Sequence, residues 1–544
     1  MVTGRYEATA TTTFPGGERP AAISFRLSVA VGVNGSGPSS LERMCGIAGL
    51  WDVSDQGVAD MLVALRHRGP DGHGAVQLGD GRALGHQRLS IVDLENGAQP
   101  FVQRASDGTV RCLVANGEIY NAAELRDGLD EAAFASTSDS EVILHLLDGD
   151  PHAVDQLHGM FAFALVDDGE LVLGRDPLGI KPLYVGSVGG GTVFASELKA
   201  LPGGTTDVRA LTPGTTVSSV EGERRYAAGL DTAIAAAGSI AFDDAKGLVR
   251  STLEQAVVDR LMADVPVGAF LSGGLDSSAI CALMREHVDE LHTFTVGLEG
   301  SPDLRAARLV AEHLGTIHHE HVLTADEVAG VVPDVVVSLE SFDLDLVRSA
   351  VPTWFVSRLA AEHVKVVLTG EGADELFAGY EYHKDITDPV TLQDEAHRSI
   401  GELHHVNLQR VDRMTMAHSL EARVPFLDTR MIALALSLPP ELRMPTVGEI
   451  EKTLLRAAVE DLLPSEVVWR DKAQFDQGSG TADLLPTLEH LSDGLDLVAY
   501  RALHPGTDLR SVEECGYHRM LATGVAHPDV VLPTVARWAD RPAA

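Results

Sequence analysis

Basic residues are scarce in this chain. Its 544 residues carry 42 Lys and Arg against 79 Asp and Glu, a formal net charge of −37. So acidic a surface repels nucleic acid and anionic membrane, excluding both as expected partners, and reads as a solubilising surface. Cysteine is scarce too: Cys45, Cys112, Cys281 and Cys515 are the whole set, without a C-x-x-C pair. A disulfide framework is therefore not expected, and a reducing, cytoplasmic location is. No run of about 18 apolar residues occurs, so no membrane span is expected. Missing as well is the phosphate loop G-x-x-x-x-G-K followed by Ser or Thr. What remains is an ordinary globular composition, 45% hydrophobic and 22% charged, on a chain long enough for about two to four domains.

The most informative stretch is 267–280, V-G-A-F-L-S-G-G-L-D-S-S-A-I. Val267, Ala269, Phe270 and Leu271 read as a short buried strand. Ser272, Gly273 and Gly274 turn the chain, and a helix begins at about Ser277 and Ser278. Free N–H groups at a helix start attract an anion, and glycines let the main chain approach it. Asp276 would repel a phosphate, but suits the site if it holds the Mg2+ that accompanies a nucleotide. Taken alone, the stretch also fits a plain glycine turn with Asp276 as a cap.

The first 43 residues show weak periodicity and are expected to form an unstructured extension. They lack the positive n-region and cleavage site of a signal peptide, and their mixed charges do not suit a transit peptide. After Met44 comes C-G-I-A-G-L-W. Were Cys45 the first residue of the working protein, its free amine could take the thiol proton and make the nucleophile. An amide nitrogen cannot do this. Three readings stay open: Met44 is the start, the leader is removed, or any thiol chemistry is silent and free ammonia is used. By itself Cys45 equally suits a core position.

The segments that follow are H-R-G-P-D at 67–71, G-H-Q-R-L-S-I-V-D at 85–93, N-G-E-I-Y-N at 116–121, S-D-S-E at 138–141, G-R-D-P-L-G-I-K-P-L-Y at 174–184 and A-S-E-L-K at 195–199. In this order they resemble a class II glutamine amidotransferase domain. The resemblance implies an α+β, Ntn-hydrolase-type fold of antiparallel sheets sandwiched with helices. It also implies that the Asn116 amide and the Gly117 N–H hold an oxyanion. Arg88 would grip the glutamine carboxylate, Asp139 its ammonium, and Glu118 would add a polar contact.

From about residue 245 the pattern becomes strand–helix alternation, with strands at 267–271, 292–297 and 364–368 and helices at 246–262 and 306–314. This predicts an α/β domain with a parallel sheet and a ligand at its strand carboxyl ends. The third strand runs into L-T-G-E-G-A-D-E-L-F-A-G-Y at 368–380. Asp374 is a second candidate Mg2+ ligand, and Glu371 is placed to bind or deprotonate an attacking amine.

S-G-G-L-D-S-S resembles the N-type ATP pyrophosphatase signature. Together with G-E-G-A-D-E, R-M-T-M-A-H-S-L-E-A-R-V-P-F-L-D at 413–428, E-K-T-L-L-R at 451–456 and W-R-D-K-A-Q-F-D-Q-G-S-G at 469–480, it makes this half similar to the synthetase domain of the glutamine-hydrolysing asparagine synthetases. The resemblance implies an adenine nucleotide α-hydrolase-like fold that binds ATP through Leu271, Ser272, Gly273, Gly274, Asp276, Ser277, Ser278, Val296, Gly297, Gly370 and Glu371. Lys472 would stabilise charge on the phosphates, with Arg348 beside it. Glutamine, aspartate and Mg-ATP are the implied substrates, with adenylation of the aspartate side chain and capture by ammonia. Amidation or cyclisation of a different acid in specialised metabolism is the alternative. His318, His319 and His321 are not spaced as H-E-x-x-H, and H-H-E recurs in that family, so no metal is expected there.

The resulting domain map is an extension over 1–44, an amidotransferase domain over 45–215, a linker over 216–243, a synthetase domain over 244–520 and a tail over 521–544. The oligomeric state, a homodimer included, is left open.

Overall fold

The protein is described here from a computed structural model. It describes residues 2–10, 23–32, 45–54, 57–69, 71–104, 109–227, 240–444, 450–471, 475–484, 489–535 and 537–538. The chain forms two compact units, Met1–Ala227 with Asp529–Thr534, and Ala228–Pro528 with Val535–Ala544. Among the described residues no helix is long and apolar enough to cross a membrane.

The first unit holds two antiparallel sheets. One is assembled from β1 (Val2–Ala10), β2 (Ile23–Gly32), β3 (Gly46–Trp51), β4 (Gly72–Gly79), β5 (Arg82–Arg88), β10 (Tyr184–Val188), β11 (Gly191–Ala195) and β12 (Thr206–Ala210), in the order β1-β2-β4-β5-β3-β11-β10-β12. The other holds β6 (Phe101–Arg104), β7 (Val110–Ile119), β8 (Gly159–Asp167), β9 (Glu170–Arg175), β13 (Thr215–Ser218) and β14 (Gly222–Arg225), ordered β14-β13-β9-β8-β7-β6. The period of β8 shows how the layers form. Ala162, Ala164 and Val166 pack with Ile47, Leu84 and Phe194 of the first sheet. Phe161, Phe163 and Leu165 point the other way, onto Val142, Ile143 and Leu144 of the short helix Glu141–Leu146. The smaller residues thus face the first sheet, and the large ones face the helix layer.

Two expectations are corrected here. Residues 2–10 and 23–32 are not an unstructured extension: they pair with each other, and β2 pairs with β4. The stretch I-S-F-R-L-S-V-A-V at 23–31 alternates apolar with small or polar residues, a strand pattern that its mildly apolar average hides. The expected linker at 216–243 begins too early, because β13 and β14 extend the second sheet. Ser218 closes the turn between them by accepting from the N–H groups of Val220 and Glu221 at 2.9 and 2.8 Å, chemistry that a Gly/Thr/Ser-rich composition conceals.

The second unit is built on a wholly parallel sheet of β15 (Val267–Phe270), β16 (His292–Leu298), β17 (Ile317–Leu323), β18 (Val366–Leu368) and β19 (Glu421–Arg423), ordered β17-β16-β15-β18-β19. The three expected strands are present in its centre. The two outer strands do not read as strands, because β17 is largely His and Glu and β19 is Glu-Ala-Arg. Arg423 compensates for its burial by donating to Glu421 at 2.9 Å and to the carbonyls of Arg260 and Met262 at 2.7 and 2.6 Å. The expected tail boundary at 521 falls inside the helix Val512–Gly524. Farther on, the Arg537 guanidinium lies 3.4 Å from the carboxylate of Asp343, and the Trp538 N–H donates to it at 3.0 Å.

One buried ion pair anchors the start of β3. Arg68 donates from Nε to the Cys45 carbonyl at 3.0 Å and from its other arm to Glu197 at 2.7 Å, both side chains having no exposed surface. His67 and Lys199 also reach Glu197, at 3.0 and 2.5 Å. Replacing Glu197→Gln leaves that positive cluster without its charge partner. We expect urea unfolding to report a loss of about 3–5 kcal/mol in the first unit.

Candidate active sites

The first site is strung together by hydrogen bonds running from Cys45. Its Sγ accepts from the Leu89 N–H at 3.3 Å and donates to the Leu89 carbonyl at 3.5 Å. The preceding residue, Arg88, directs its guanidinium to backbone carbonyls, at 3.3 Å from Leu94 and also at Asp93. Asp93 in turn accepts from the Thr137 N–H at 2.7 Å. Two residues on, Asp139 accepts from the Ile119 N–H at 2.7 Å. Ile119 closes the segment that contains Asn116, Gly117 and Glu118. The loop after β5, the end of β7 and the segment 137–139 are therefore tied into one site. It contains the predicted residues Cys45, Arg88, Asn116, Gly117, Glu118 and Asp139.

The local chemistry follows from this packing. Burial lowers the Arg88 pKa from its usual value, opposed by the charges of Cys45, Asp93 and Asp71. Burial works against ionising Asp93, but N–H groups of Asn96 and Thr137 outweigh it and hold the carboxyl below its usual range. Asn116 is buried, and neither its amide nitrogen nor its amide oxygen has a hydrogen-bond partner. A buried amide left so is costly unless a ligand completes it. Gly117 has φ +136°, and a Cβ there would stand 1.9 Å from the Met160 carbonyl oxygen. Only glycine lets the chain carry that N–H past β8.

The second site lies at the carboxyl ends of β15 and β18. The Ser272 hydroxyl accepts from the Gly274 N–H at 3.3 Å and lies 3.1 Å from the Ser277 hydroxyl. The loop after β18 comes against it so closely that a Cβ on Gly370 would be 2.8 Å from that of Asp276. A cavity of about 440 Å³ opens here, lined by Leu271, Ser272, Gly274, Asp276, Ser277, Gly370, Glu371 and Asp374. Glu371 is held by Arg410 at 2.5 Å. Glu375 is buried beside it and accepts from the Tyr380 hydroxyl at 2.5 Å; burial, and then the neighbouring Asp374 charge, push its carboxyl up to about 7.

Asp276 and Asp374 converge on one point, and the ammonium of Lys452 stands there. Its Nζ donates to both Asp276 oxygens at 2.7 and 2.6 Å and lies 2.5 Å from Asp374. Burial works against its charge, but the two carboxylates prevail and raise its pKa. Lys452 had no assigned role in the sequence, although it is the lysine of E-K-T-L-L-R. Arg470, of W-R-D-K, is a second unassigned cation: it donates to the Gly273 carbonyl at 3.2 Å and to Asp303 at 2.9 Å, and lines the cavity. Trp538, from the expected tail, lines it too.

Not every predicted ATP residue reaches the cavity surface. Arg348 is not among the lining residues; it makes a two-pronged pair with Glu513, at 3.1 and 2.6 Å. That is a correction, and its cause is the helix Val512–Gly524, which supplies a fork-shaped partner for the guanidinium. Val296 is wholly buried and is not among the lining residues, whereas its neighbours Phe294 and Thr295 are. Gly273, Ser278 and Gly297 also lie behind the surface. Gly273 is needed there, with φ +75° and a Cβ position 2.4 Å from the Ala307 nitrogen. Lys472 lies outside the described residues.

These two sites define an enzyme that joins an amidotransferase half to a nucleotide-binding half. The family described as "Glutamine amidotransferase domain" matches residues 44–221, and "Asparagine synthase" matches 248–390 and 384–502. The chain is 37% identical over 510 residues to an asparagine synthetase [glutamine-hydrolyzing] of Asparagus officinalis, covering 88% of this chain and 85% of that one. It is 39% identical to asparagine synthetase B [glutamine-hydrolyzing] of Escherichia coli (strain K12), covering 80% and 83%, and equally identical to asparagine synthetase [glutamine-hydrolyzing] 3 of Arabidopsis thaliana, covering 80% and 79%. The chain belongs to the glutamine-hydrolysing asparagine synthetase family.

Two outcomes follow from the geometry. Asn116→Ala should lower glutamine-dependent turnover by about 10²–10³-fold while ammonium-dependent turnover persists, as steady-state assays with each nitrogen source will show. Lys452→Met leaves two facing carboxylates without their cation. It should destabilise the second unit by about 3–5 kcal/mol, read by thermal unfolding without nucleotide.

Proposed function

We propose that this protein converts aspartate to asparagine, using ATP and glutamine and releasing AMP, pyrophosphate and glutamate. The observation that carries this reading is family membership across both halves, joined to a buried Asn116 amide that lacks a partner in the first site.

In the first site the Cys45 thiolate attacks the glutamine amide carbon. Asn116 and the Gly117 N–H hold the resulting oxyanion, and ammonia leaves as the thioester forms. Water then releases glutamate. Arg88 and Asp139 hold the carboxylate and ammonium of glutamine, a role supported by their shared hydrogen-bonded frame, and Glu118 adds a contact. The base is the Cys45 amine, which requires the mature chain to begin at that residue.

In the second site an aspartate carboxylate attacks the α-phosphate of ATP. This gives an acyl-adenylate, an activation that a poor electrophile such as a carboxylate needs before an amine can displace it. Asp276 and Asp374 fit Mg2+, since their hard oxygens converge on a single cation position. When bound, the ion would offset charge on the triphosphate. Lys452, Arg470 and Lys472 supply further positive charge for departing pyrophosphate, and Glu371, which lines the cavity, binds or deprotonates the attacking ammonia. Cys112, Cys281 and Cys515 are free and buried, which supports work in a reducing cytoplasm.

The test is ATP–pyrophosphate chemistry with a panel of carboxylic acids, followed by product identification with glutamine or ammonium. Aspartate should give AMP and asparagine; AMP formation with another acid alone would move the activity to specialised metabolism. Cys45→Ala should abolish glutamine-dependent synthesis and leave the ammonium-dependent reaction. Amino-terminal sequencing of the active protein should begin at Cys45. Met1 intact alongside full glutamine-dependent turnover would overturn the free-amine mechanism.

A further inference from the structure

The histidines that the sequence places side by side are separated by the fold, and a different trio is brought together. His318 turns to Thr293, with Nδ1 2.9 Å from its hydroxyl, and His321 to Glu327, with Nε2 3.0 Å away. Adjacent strand residues face opposite sides, so His319 parts from His318. It instead meets His292 of the neighbouring strand β16 and His363, which follows the helix Leu344–Ala361. One ring nitrogen from each of these three lies within 4.8 Å of the others.

We propose that His292, His319 and His363 form a binding site for a late first-row divalent cation, with Zn2+ as its representative. Three separate segments deliver the donors. His292 Nδ1 and His319 Nε2 are already 3.0 Å apart; the His363 ring stacks on His319 with centroids 3.8 Å apart and has to turn to aim a nitrogen at the same ion. Tetrahedral ligands at about 2.0–2.1 Å from Zn2+ lie roughly 3.4 Å from one another, so the pair that now shares one proton needs little opening. That proton moves to the far nitrogen of its own ring, and no other proton need leave. Phe294 forms an apolar floor, its ring centroid 5.0 Å from that of His319 and 5.9 Å from that of His363. Such a floor favours uncharged imidazole.

The donor set selects the ion. Imidazoles without a carboxylate suit Zn2+, Ni2+ or Cu2+ and not Mg2+, so the ion that accompanies ATP should not compete. His363 is exposed and leaves a side open for water as a fourth ligand. His292 stands at the first residue of β16, whereas nucleotide is expected at strand carboxyl ends. This ion therefore has no part in the transfer chemistry. It would clasp β16, β17 and the segment entering β18, and raise stability by mass action.

The experiment is equilibrium dialysis of the chelator-treated full chain against Zn2+, with metal analysis, and visible spectra after Co2+ loading. One Zn2+ should bind in the presence of excess Mg2+, raise the thermal transition and survive Cys45→Ala. His363→Ala, at an exposed position, should weaken binding by at least about tenfold and remove the intense Co2+ bands. His292→Gln should do the same. Unchanged Zn2+ affinity in both folded variants, or no Zn2+ retained by the unsubstituted protein, overturns the site.

Discussion

Two carboxylates that meet in one loop cluster repel each other unless a cation lies between them or one of them takes up a proton. In the second unit Asp276 and Asp374 meet at the carboxyl ends of β15 and β18, and the Lys452 ammonium lies within 2.7 Å of both. Coulomb attraction in that setting outweighs the cost of burying the charges only because the geometry is close and the donors are satisfied. The same arrangement defines where positive charge belongs when a triphosphate enters. One charge balance is thus at work: the lysine holds the two loops together, and the carboxylates mark a position that takes positive charge.

The first unit reaches its site by another route. No single residue there faces all the others. Cys45, Arg88, Asp93, Thr137, Asp139 and Ile119 are connected stepwise through backbone groups, so the position of one depends on the neighbouring loop. The sheet sandwich beneath gives this relay its stiffness. Small residues of β8 let the sheets approach, and Gly117 lets the chain pass within a distance no side chain would allow. Arg68 and Glu197 then hold the start of β3 from below.

Several motifs that look like chemistry are architecture. In 413–428, Arg413 is buried on Glu340 at 3.0 Å and Arg423 holds the edge strand, while Asp428 accepts from Arg260 at 2.8 Å. Charged residues recur here because they join segments distant in the chain. Buried arginine demands several acceptors at fixed directions, which a generic apolar contact would not.

Much of this protein was legible in its sequence, for identifiable reasons. Periodicity revealed the central strands β15, β16 and β18, since buried parallel strands are short apolar runs between turns. Glycine placement exposed both nucleotide loops, because close backbone approach excludes a side chain. The motif order pointed to Cys45, Arg88, Asn116 and Asp139 together. What the sequence could not decide was which distant side chains meet. Edge strands rich in His, Glu or Arg have no apolar signature, so β17 and β19 were hidden. Arg348 had the right charge for phosphate, yet Glu513 claims it from 165 residues away. Lys452 and Asp276 are 176 residues apart, and His292, His319 and His363 come from three segments. Residue type and spacing determine what a side chain can do; only the path of the backbone through three dimensions determines what stands opposite it.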